Sequence, residues 1–482
     1  MPEQVPLLGG SYTARSLTAG AQRCVNLYPE KNEADAPYPY TYYPRPGLRF
    51  EGALPSPPIN AGARCMYRAS NGVLFECVDD KVYATTNTGV RNLLGVINAG
   101  VNSVFMQDNG TVVAVVDGSP DGWIIDMATY GFSQIVDPAF YGADRVAYLD
   151  GFLIFNRPLT TQIYLSPFNW NGVTAFDPLY IADKIGTPDP LVSLVVNAAQ
   201  LWLIGSAGTE VWYNSGGADF PLARVPGVLI QHGTNAKDSV CQTDASVFWL
   251  NQNQQGEAIF LAGSGYDVKR VSTHAIEKAW QSYPLISDAS SFSYQLDGHT
   301  FVQLNFPTAD KTWVYDLSTG LWHEECWIDT NGIEHRHRAA CAANAYGKVY
   351  CGDWENGFLM SMDLDWYQDV DNPIVYRRGF RHLVKGAYKV TYQKLVLSAT
   401  PGQAPGLLST DQPQVYLRWS DTQGYSWGDP VAGSPGSTGQ YDEWATWWQL
   451  GTARDRVFEV FWSLSFQVSI SGAYIDYQPA DS

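Results

Sequence analysis

One phrase recurs along the chain: an apolar strand, a polar or glycine-bearing turn, then a second strand rich in aromatic and β-branched residues. It is read in VLFECVDDKVYATT, TVVAVVDGSPDGWIID, FLIFNRPLTTQIYLSP, LWLIGSAGTEVWYNSG, VFWLNQNQQGEAIFLAG, TFVQLNFPTADKTWVYD and VYCGDWENGFLMSMD. The phrases start near Val73, Thr111, Phe152, Leu201, Val247, Thr300 and Val349. That spacing, roughly 40–50 residues, is typical of propeller blades of four short strands. A single blade cannot bury both of its apolar faces, whereas a ring packs each face on a neighbour and leaves only short edges in water. The pattern predicts an all-β protein with a β-propeller of six or seven blades over residues 57–370.

Helical signals are scarce. The best is VSTHAIEKAWQSY, where Ser272 or Thr273 can cap a short helix with Ile276 and Trp280 on one face. After Asp371 the phrase stops and a basic segment, YRRGFRHLVKGAYKVTYQK, leads into alternating strands such as QVYLRWS, RVFEVFWS and FQVSISGAYIDY. Residues 371–482 therefore read as a separate β-sandwich or barrel-like domain, with TPGQAPG and VAGSPGSTGQ as loops. Residues 1–56, with the proline-dense APYPYTYYPRPG, read as an extended arm, because proline at that density excludes helix and ladder positions alike. Such an arm is expected to gain order by docking on a partner.

At 482 residues the chain can bury a large core. Charged residues make up only 16%, while 14% are aromatic and 44 are glycine, which favours strands and tight turns. The net charge of −18 argues against tight binding of a polyanion such as DNA. Cys24, Cys65, Cys77, Cys241, Cys326, Cys341 and Cys351 are odd in number and hold no C-x-x-C pair, so reduced core thiols are expected. The start MPEQVPLLGG has neither a basic leader nor an apolar core, so it does not read as a secretory signal and synthesis is expected to end in the cytoplasm. The stretch Leu191 to Gly205, broken by Asn197 and Gln200, is too short to cross a bilayer as a helix, and no membrane segment is expected.

Candidate chemistry is thin. YLRWSDTQGYSWGDP resembles the Asp-box hairpin of sialidases through Ser420, Gly424 and Trp427, yet Thr422 occupies the aspartate position and Asp421 sits one place early. It reads as a hairpin turn, a device remote from sialidase chemistry even when intact. Asp363, Asp365, Asp369 and Asp371 offer carboxylates to calcium but lack an EF-hand glycine, and a solvated linker is the simpler reading. His335 and His337 with Cys341 do not complete a zinc set, so a strand edge or exposed turn is expected. G-x-S-x-G, H-E-x-x-H and Walker-type signatures are absent. The chain reads as a non-enzyme, with no catalytic, cofactor or metal residues.

Several phrases resemble one family, the packaged-DNA stabilisation protein, or tail hub and nozzle, of short-tailed bacteriophages. They are RCVNLYPE and YPRPGL, the central GTEVWYNSGGADFPLARVPGVLIQHGTNAKDSVCQTDASVFWLNQ, STHAIEKAWQSY, YCGDWENGFLMSMDLD and LGTARDRVFEVFWS, in that order over nearly the whole chain. The resemblance implies a virion tail protein, assembled in the host cytoplasm, that forms a ring of copies of itself, a homohexamer. It implies docking beneath the portal and adaptor, contact with tail needle, tailspike or fibre proteins, and a DNA channel that the genome passes without tight binding. It also implies structural or interface roles for Asn26, Tyr28, Pro29, Gly47, Glu210, Trp212, Gly227, Glu277, Gly352, Asp353 and Arg454. An acidic lumen would suit such a channel, because repulsion keeps phosphates sliding.

A rival class is a phage tail propeller that binds or hydrolyses host surface polysaccharide, suggested by 17 tryptophans and 29 tyrosines able to stack on sugars. Aromatic residues also build blade cores, and a hub is distinguished from it by joining a ring.

Overall fold

A computed structural model of the chain describes residues 2–52, 61–100, 102–243, 245–252, 258–386, 388–400, 413–437 and 439–480. The expected arm–propeller boundary at 56/57, and most of the TPGQAPG loop, lie outside them.

Seven four-stranded antiparallel blades close into a ring. Blade 1 runs from Ala63–Arg68 through Leu74–Val78 and Lys81–Thr85 to Arg91–Val96. Blades 2 to 6 follow in sequence, with inner strands Phe105–Asp108, Val146–Leu149, Leu191–Asn197, Cys241–Gln242 and Ser290–Leu296. Each of the seven recurring phrases supplies the second and third strands of one blade. Those second strands are buried along their length, as in Leu74–Val78, Val112–Val116 and Phe152–Asn156, because a blade is covered on both faces. Continuous apolar runs, not alternation, are the signature of that environment.

The core is divided among the blade interfaces. Phe75 and Val82 of blade 1 meet Val113 and Val115 of blade 2, while Val112 and Ala114, on the other face of the same strand, meet Leu153 and Phe155 of blade 3. The pattern continues with Ile154 against Leu201, Trp202 against Trp249, Phe248 against Val302 and Phe301 against Cys351. Tyr350 and Leu359 of blade 7 close the circle on Met66 and Leu74 of blade 1. The period-2 alternation of strand side chains thus serves two neighbours at once.

Blade 7 is the exception in connectivity. Ala339–Ala345, Lys348–Asp353 and Leu359–Asp363 take their fourth strand, Gly47–Phe50, from the other end of the chain, with Met362 opposite Leu48. A Cβ on Gly47 would collide with the Trp366 carbonyl, so this strand start has room only for glycine. The capped helix is present as His274–Trp280, with Thr273 accepting from Ile276 N at 3.5 Å.

Beyond the ring, two sheets share a core containing Tyr42, Tyr376, Trp447, Phe458 and Trp462. One sheet continues directly from the outer strand of blade 6, Leu321–Ile328. It proceeds through Cys24–Val25, Tyr376–Gly379, Asp455–Trp462 and Val415–Ser420 to an edge at Val431–Gly433. The other runs from an edge at Thr446–Ala453 through Val390–Ala399 and Ile470–Pro479 to Tyr40–Pro44 and Leu27–Lys31, with Glu3–Pro6 also paired to Ile470–Pro479. The N-terminal residues expected to form an extended arm are therefore woven into this sandwich and into blade 7. The prolines fit because Pro6 and Pro44 end their strands, and Pro29, opposite Tyr42, lies in the edge strand Leu27–Lys31, where a missing donor is tolerated.

Candidate functional site

Two constructions distinguish this chain from a plain ring of blades: a bridge across the propeller axis, and a buried polar junction between ring and sandwich.

The short 3-10 turn Lys237–Ser239 leads into blade 5 and bonds both to the adjacent blade 6 and to blades 2 and 3, which are not its neighbours. Asp238 accepts from Ser103 Oγ at 2.7 Å, beside the inner strand of blade 2, and from Arg145 Nη2 at 2.7 Å, beside that of blade 3. Lys237 Nζ lies 2.9 Å from Asp144 Oδ1, and the Ser239 carbonyl accepts from Ser291 Oγ of blade 6 at 2.7 Å. A segment touching blades 2, 3 and 6 at their inner strands must cross the axis. Arg145 is buried, and burial lowers its guanidinium to about 10 despite the opposing pull of Asp238 and Asp144. The other mouth of the ring opens on a cleft lined by the amides and hydroxyls of Asn197, Gln242, Thr243, Ser293, Gln295 and Asn344.

At the junction Arg45, only 1% exposed, spends its donors on four groups. It holds Asp369 in a fork at 3.0 and 2.6 Å, and donates to Asn26 Oδ1 at 2.9 Å, to the Pro46 carbonyl at 2.8 Å and to the Cys326 carbonyl at 3.2 Å. Asn26, in the left-handed region at φ 58°, accepts from Cys326 N at 2.9 Å and donates to the Val375 carbonyl at 2.8 Å. One asparagine and one arginine so tie the N-terminal segment to blade 6 and to both sides of the interdomain connection. Arg378, fully buried, donates to the carbonyls of Leu8 and Gly9 at 3.0 Å and lies over the Tyr42 ring.

An alternating chain of charges runs beside this core. Arg23 bridges Glu324 at 2.7 Å and Glu334 at 3.2 Å, and Arg377 bridges Glu334 at 2.6 Å and Glu459 at 3.4 Å. Burial works against the Glu334 carboxylate, but Arg23 and Arg377 outweigh it and hold its pKa at about 2. Deeper in, Glu325 sits 3.5 Å from His323 Nε2 and 3.7 Å from His337 Nε2. Burial first, then the Arg45 charge, lowers His337 to about 4.

The residues singled out by resemblance do not converge on one site. Asn26, Tyr28, Pro29 and Gly47 lie at or near the junction; Tyr28 packs its ring edge on Phe301 of blade 6 at 5.5 Å, and Pro29 pairs with Tyr42. Glu210 and Trp212 are in blade 4, joined by an indole donation of 2.8 Å, and Glu210 also accepts from Gly186 N. Gly227 turns at φ 75° after Leu222–Arg224. Glu277 accepts from Ser272 Oγ and Arg270 Nε, each at 2.6 Å. Gly352 leaves room for Ala63 of blade 1, and Asp353 holds Arg338 in blade 7. Arg454 is exposed in the turn between Thr446–Ala453 and Asp455–Trp462.

Two expectations need correction. Asp369 is not a solvated linker residue: the Arg45 fork takes it out of water, while Asp363 pairs with Arg49 at 3.2 Å. Of the strand edge or exposed turn expected for the two histidines, His335 takes the first, half-buried in the edge strand Glu334–Arg336 and paired with Asp310 at 2.7 Å, whereas His337 takes neither and is 1% exposed, because it lies under the blade 6–7 contact. No group of three or more His, Cys, Asp or Glu among the described residues is placed to hold a metal ion. In the Asp-box-like hairpin, Ser420 Oγ accepts from Gly424 N at 2.8 Å and Thr422 Oγ1 from Ser426 N at 2.9 Å, while Asp421 forks to the buried Arg456. Thr422 thus closes the turn, and the displaced aspartate has a separate task.

The family model described as "Bacteriophage P22 Gp10, beta-propeller" matches residues 3–367. The chain belongs to that family. It is a phage structural protein of the β-propeller type, and the match begins within the N-terminal strands that complete the sandwich and blade 7. No curated protein matches the chain. Among solved structures, one of the mitotic checkpoint complex is 11% identical, covering 70% of this chain and 96% of that one at a TM-score of 0.42. The WD40 propeller domain of Doa1 is 9% identical, covering 66% and 97% at 0.41. No helix among the described residues is long and apolar enough to cross a membrane.

The family's sequence signals include Asn26 but miss its junction partners Arg45, Asp369 and Arg378. Arg45 stands inside YPRPGL, and an arginine between two prolines in an aromatic run is the one hint of a buried cation. Arg377 and Arg378 open a segment whose basic composition suggests a solvated face. Lys237 and Asp238 give no local signal, because what they bridge is distant in sequence.

Proposed function

We propose that this protein is a ring-forming tail hub that extends the DNA channel below the portal and adaptor and retains the packaged genome until ejection. The observation that carries the reading is the bridged axis of a propeller in this phage family: Asp238 and Lys237 cross the ring, so the duplex passes between copies and not through one. Charge supports it. Residues 63–363 hold 31 acidic and 16 basic side chains, a net of −15, whereas residues 371–482 hold 10 and 9, a net of −1. A surface of that sign releases no counterions on meeting phosphates, so DNA slides past it and retention is steric.

The reading assigns no reaction to the chain. Its partners are further copies of itself in a ring of six, the adaptor above, and needle, spike or fibre proteins below, assembled in the host cytoplasm into the virion tail. The junction residues, with Asn26 and Gly47 among them, act by fixing the sandwich to the propeller, so that contacts on either reach the ring in one orientation.

The test is nuclease-resistant DNA per capsid in lysates of phage lacking this chain. Heads that fill early and empty later are expected, and retention at the wild-type level overturns the reading.

A further inference from the structure

The ten most exposed large apolar and aromatic side chains among the described residues fall in two places. Six of them, Val136, Leu159, Phe168, Val173, Leu179 and Ile185, surround blade 3. The other four, Tyr388, Tyr425, Tyr441 and Trp448, are on the sandwich. Scattered exposed apolar groups need no explanation, but concentrations of them mark contact surfaces.

Topology puts the two places at opposite poles. One sandwich sheet grows from the outer strand of blade 6, the chain passes from Tyr40–Pro44 of the other directly into the outer strand of blade 7, and in a ring of seven, blade 3 stands across the axis from that attachment. Within the sandwich, Thr446–Ala453 and Val431–Gly433 are the edges farthest from the ring, and Trp447 Nε1 donates to the Val431 carbonyl between them at 2.9 Å. Trp448 projects from this edge at 64% exposure with Lys394 Nζ 4.5 Å from its ring centroid. At the blade 3 pole, Phe168, Val173 and Leu179 share the long connection between Gln162–Leu165 and Ile181–Asp183. Its backbone is anchored by Asn109 on the Trp170 carbonyl at 2.7 Å and by Asp137 on Phe176 N at 2.8 Å. The apolar groups are thus presented on a pinned support.

We infer that these poles are the two halves of one head-to-tail contact, in which the Trp448 edge of one copy seats on the Phe168–Leu179 connection of the next. The inference rests on the ring reading above and names its surfaces. Three features favour a second copy in this orientation. A pairing of propeller with propeller sets −15 against −15, whereas sandwich against propeller sets −1 against −15. Gln449, in the left-handed region at φ 58°, and the register shift between Tyr392 and Lys394 bulge the edge at Trp448, which disfavours strand addition and leaves a side-chain contact. A head-to-tail contact leaves one free face on each terminal copy, and only closure of a ring satisfies every face.

The test uses full-length protein carrying either Trp448→Asp or the pair Val173→Asp and Leu179→Asp, exposed changes whose folding is checked by circular dichroism and thermal melting. Sedimentation across the micromolar range is expected to show closed oligomers for the wild type and monomer for each variant alone. Mixing the two variants is expected to restore dimers and nothing larger, because each retains the half that the other lacks. Oligomers of wild-type size from either variant overturn the contact while leaving the ring reading standing. A Trp448→Asp protein that dimerises alone shows a symmetric blade 3 contact and overturns it likewise. A wild type that stays monomeric at every concentration overturns the contact and, if it is also absent from purified tails, the ring reading with it.

Discussion

The propeller and the sandwich solve the same problem, burial of strand faces, with opposite chain economies. Six of the seven blades are made of four strands in sequence, each a local meander. The sandwich draws residues from Val5 and Tyr42 to Ile475 into one core; one of its sheets is continuous with Leu321–Ile328 of blade 6, and the chain of the other runs from Tyr40–Pro44 into Gly47–Phe50 of blade 7. Local pairing costs little loop-closure entropy and distant pairing costs more, so the sandwich and blade 7 are expected to form last and to depend on the chain being whole. The difference also divides the polar chemistry. Inside the ring, buried charge spans the axis; at the junction, it joins segments more than 300 residues apart, as Arg45 and Asp369 do.

The strongest way to break this comparison is to remove residues 2–50. An extended arm would leave a folded propeller that merely fails to enter tails. The strand pairing predicts a larger loss: blade 7 without its fourth strand, the sandwich core without Leu27 and Tyr42, and no cooperative melting transition. A soluble truncated monomer with the wild-type Tm would restore the arm.

Next in size is Asp369→Ala, which strands a buried guanidinium. Loss of one partner of a buried pair is expected to cost about 3–5 kcal/mol, read from the urea midpoint. The double change Arg45→Met with Asp369→Leu is expected to recover part of that loss, since it leaves no unpaired charge. Equal destabilisation by single and double variants would show that the junction needs the polar network itself.

Acid sensitivity follows from His337. Its Nδ1 accepts from Ala339 N at 3.3 Å, and Glu325, Arg45, Asp369 and Arg338 surround it. With a folded pKa of about 4 and an ordinary value of 6.5, the unfolded chain binds the extra proton between those pH values. Its contribution is therefore full above pH 6.5 and lost as pH falls toward 4, by about 3 kcal/mol at most. Replacing it, His337→Gln, is expected to flatten the fall of urea stability over that window, whereas an unchanged slope would place the acid response elsewhere.

The smallest effect is expected at the axis. Asp238→Asn weakens the links to Ser103 and Arg145 and is expected to cost about 1–3 kcal/mol. The loss should be confined to the ring: amide exchange near blades 2, 3 and 5 rises while that of Asp455–Trp462 does not. A rise in both would mean that ring and sandwich open as one unit.

By itself the sequence determined that there are blades, six or seven of them, and the structure set the number at seven. Val112–Val116 and Phe152–Asn156 read as buried strands because covering on both faces demands uninterrupted apolar residues, and that demand is local. It determined the short helix capped at Ser272 or Thr273, of which the structure uses Thr273, and the hairpin at Ser420 for the same reason, since their bonds close within four residues. What only the tertiary structure decided is where the first 50 residues go, that Asp369 and His337 are dry, and that Lys237 and Asp238 span the ring. The physical reason is distance along the chain. A proline-rich strand, a carboxylate or a histidine has the same local pattern whether it meets water or a partner 300 residues away, and its state is set by that partner.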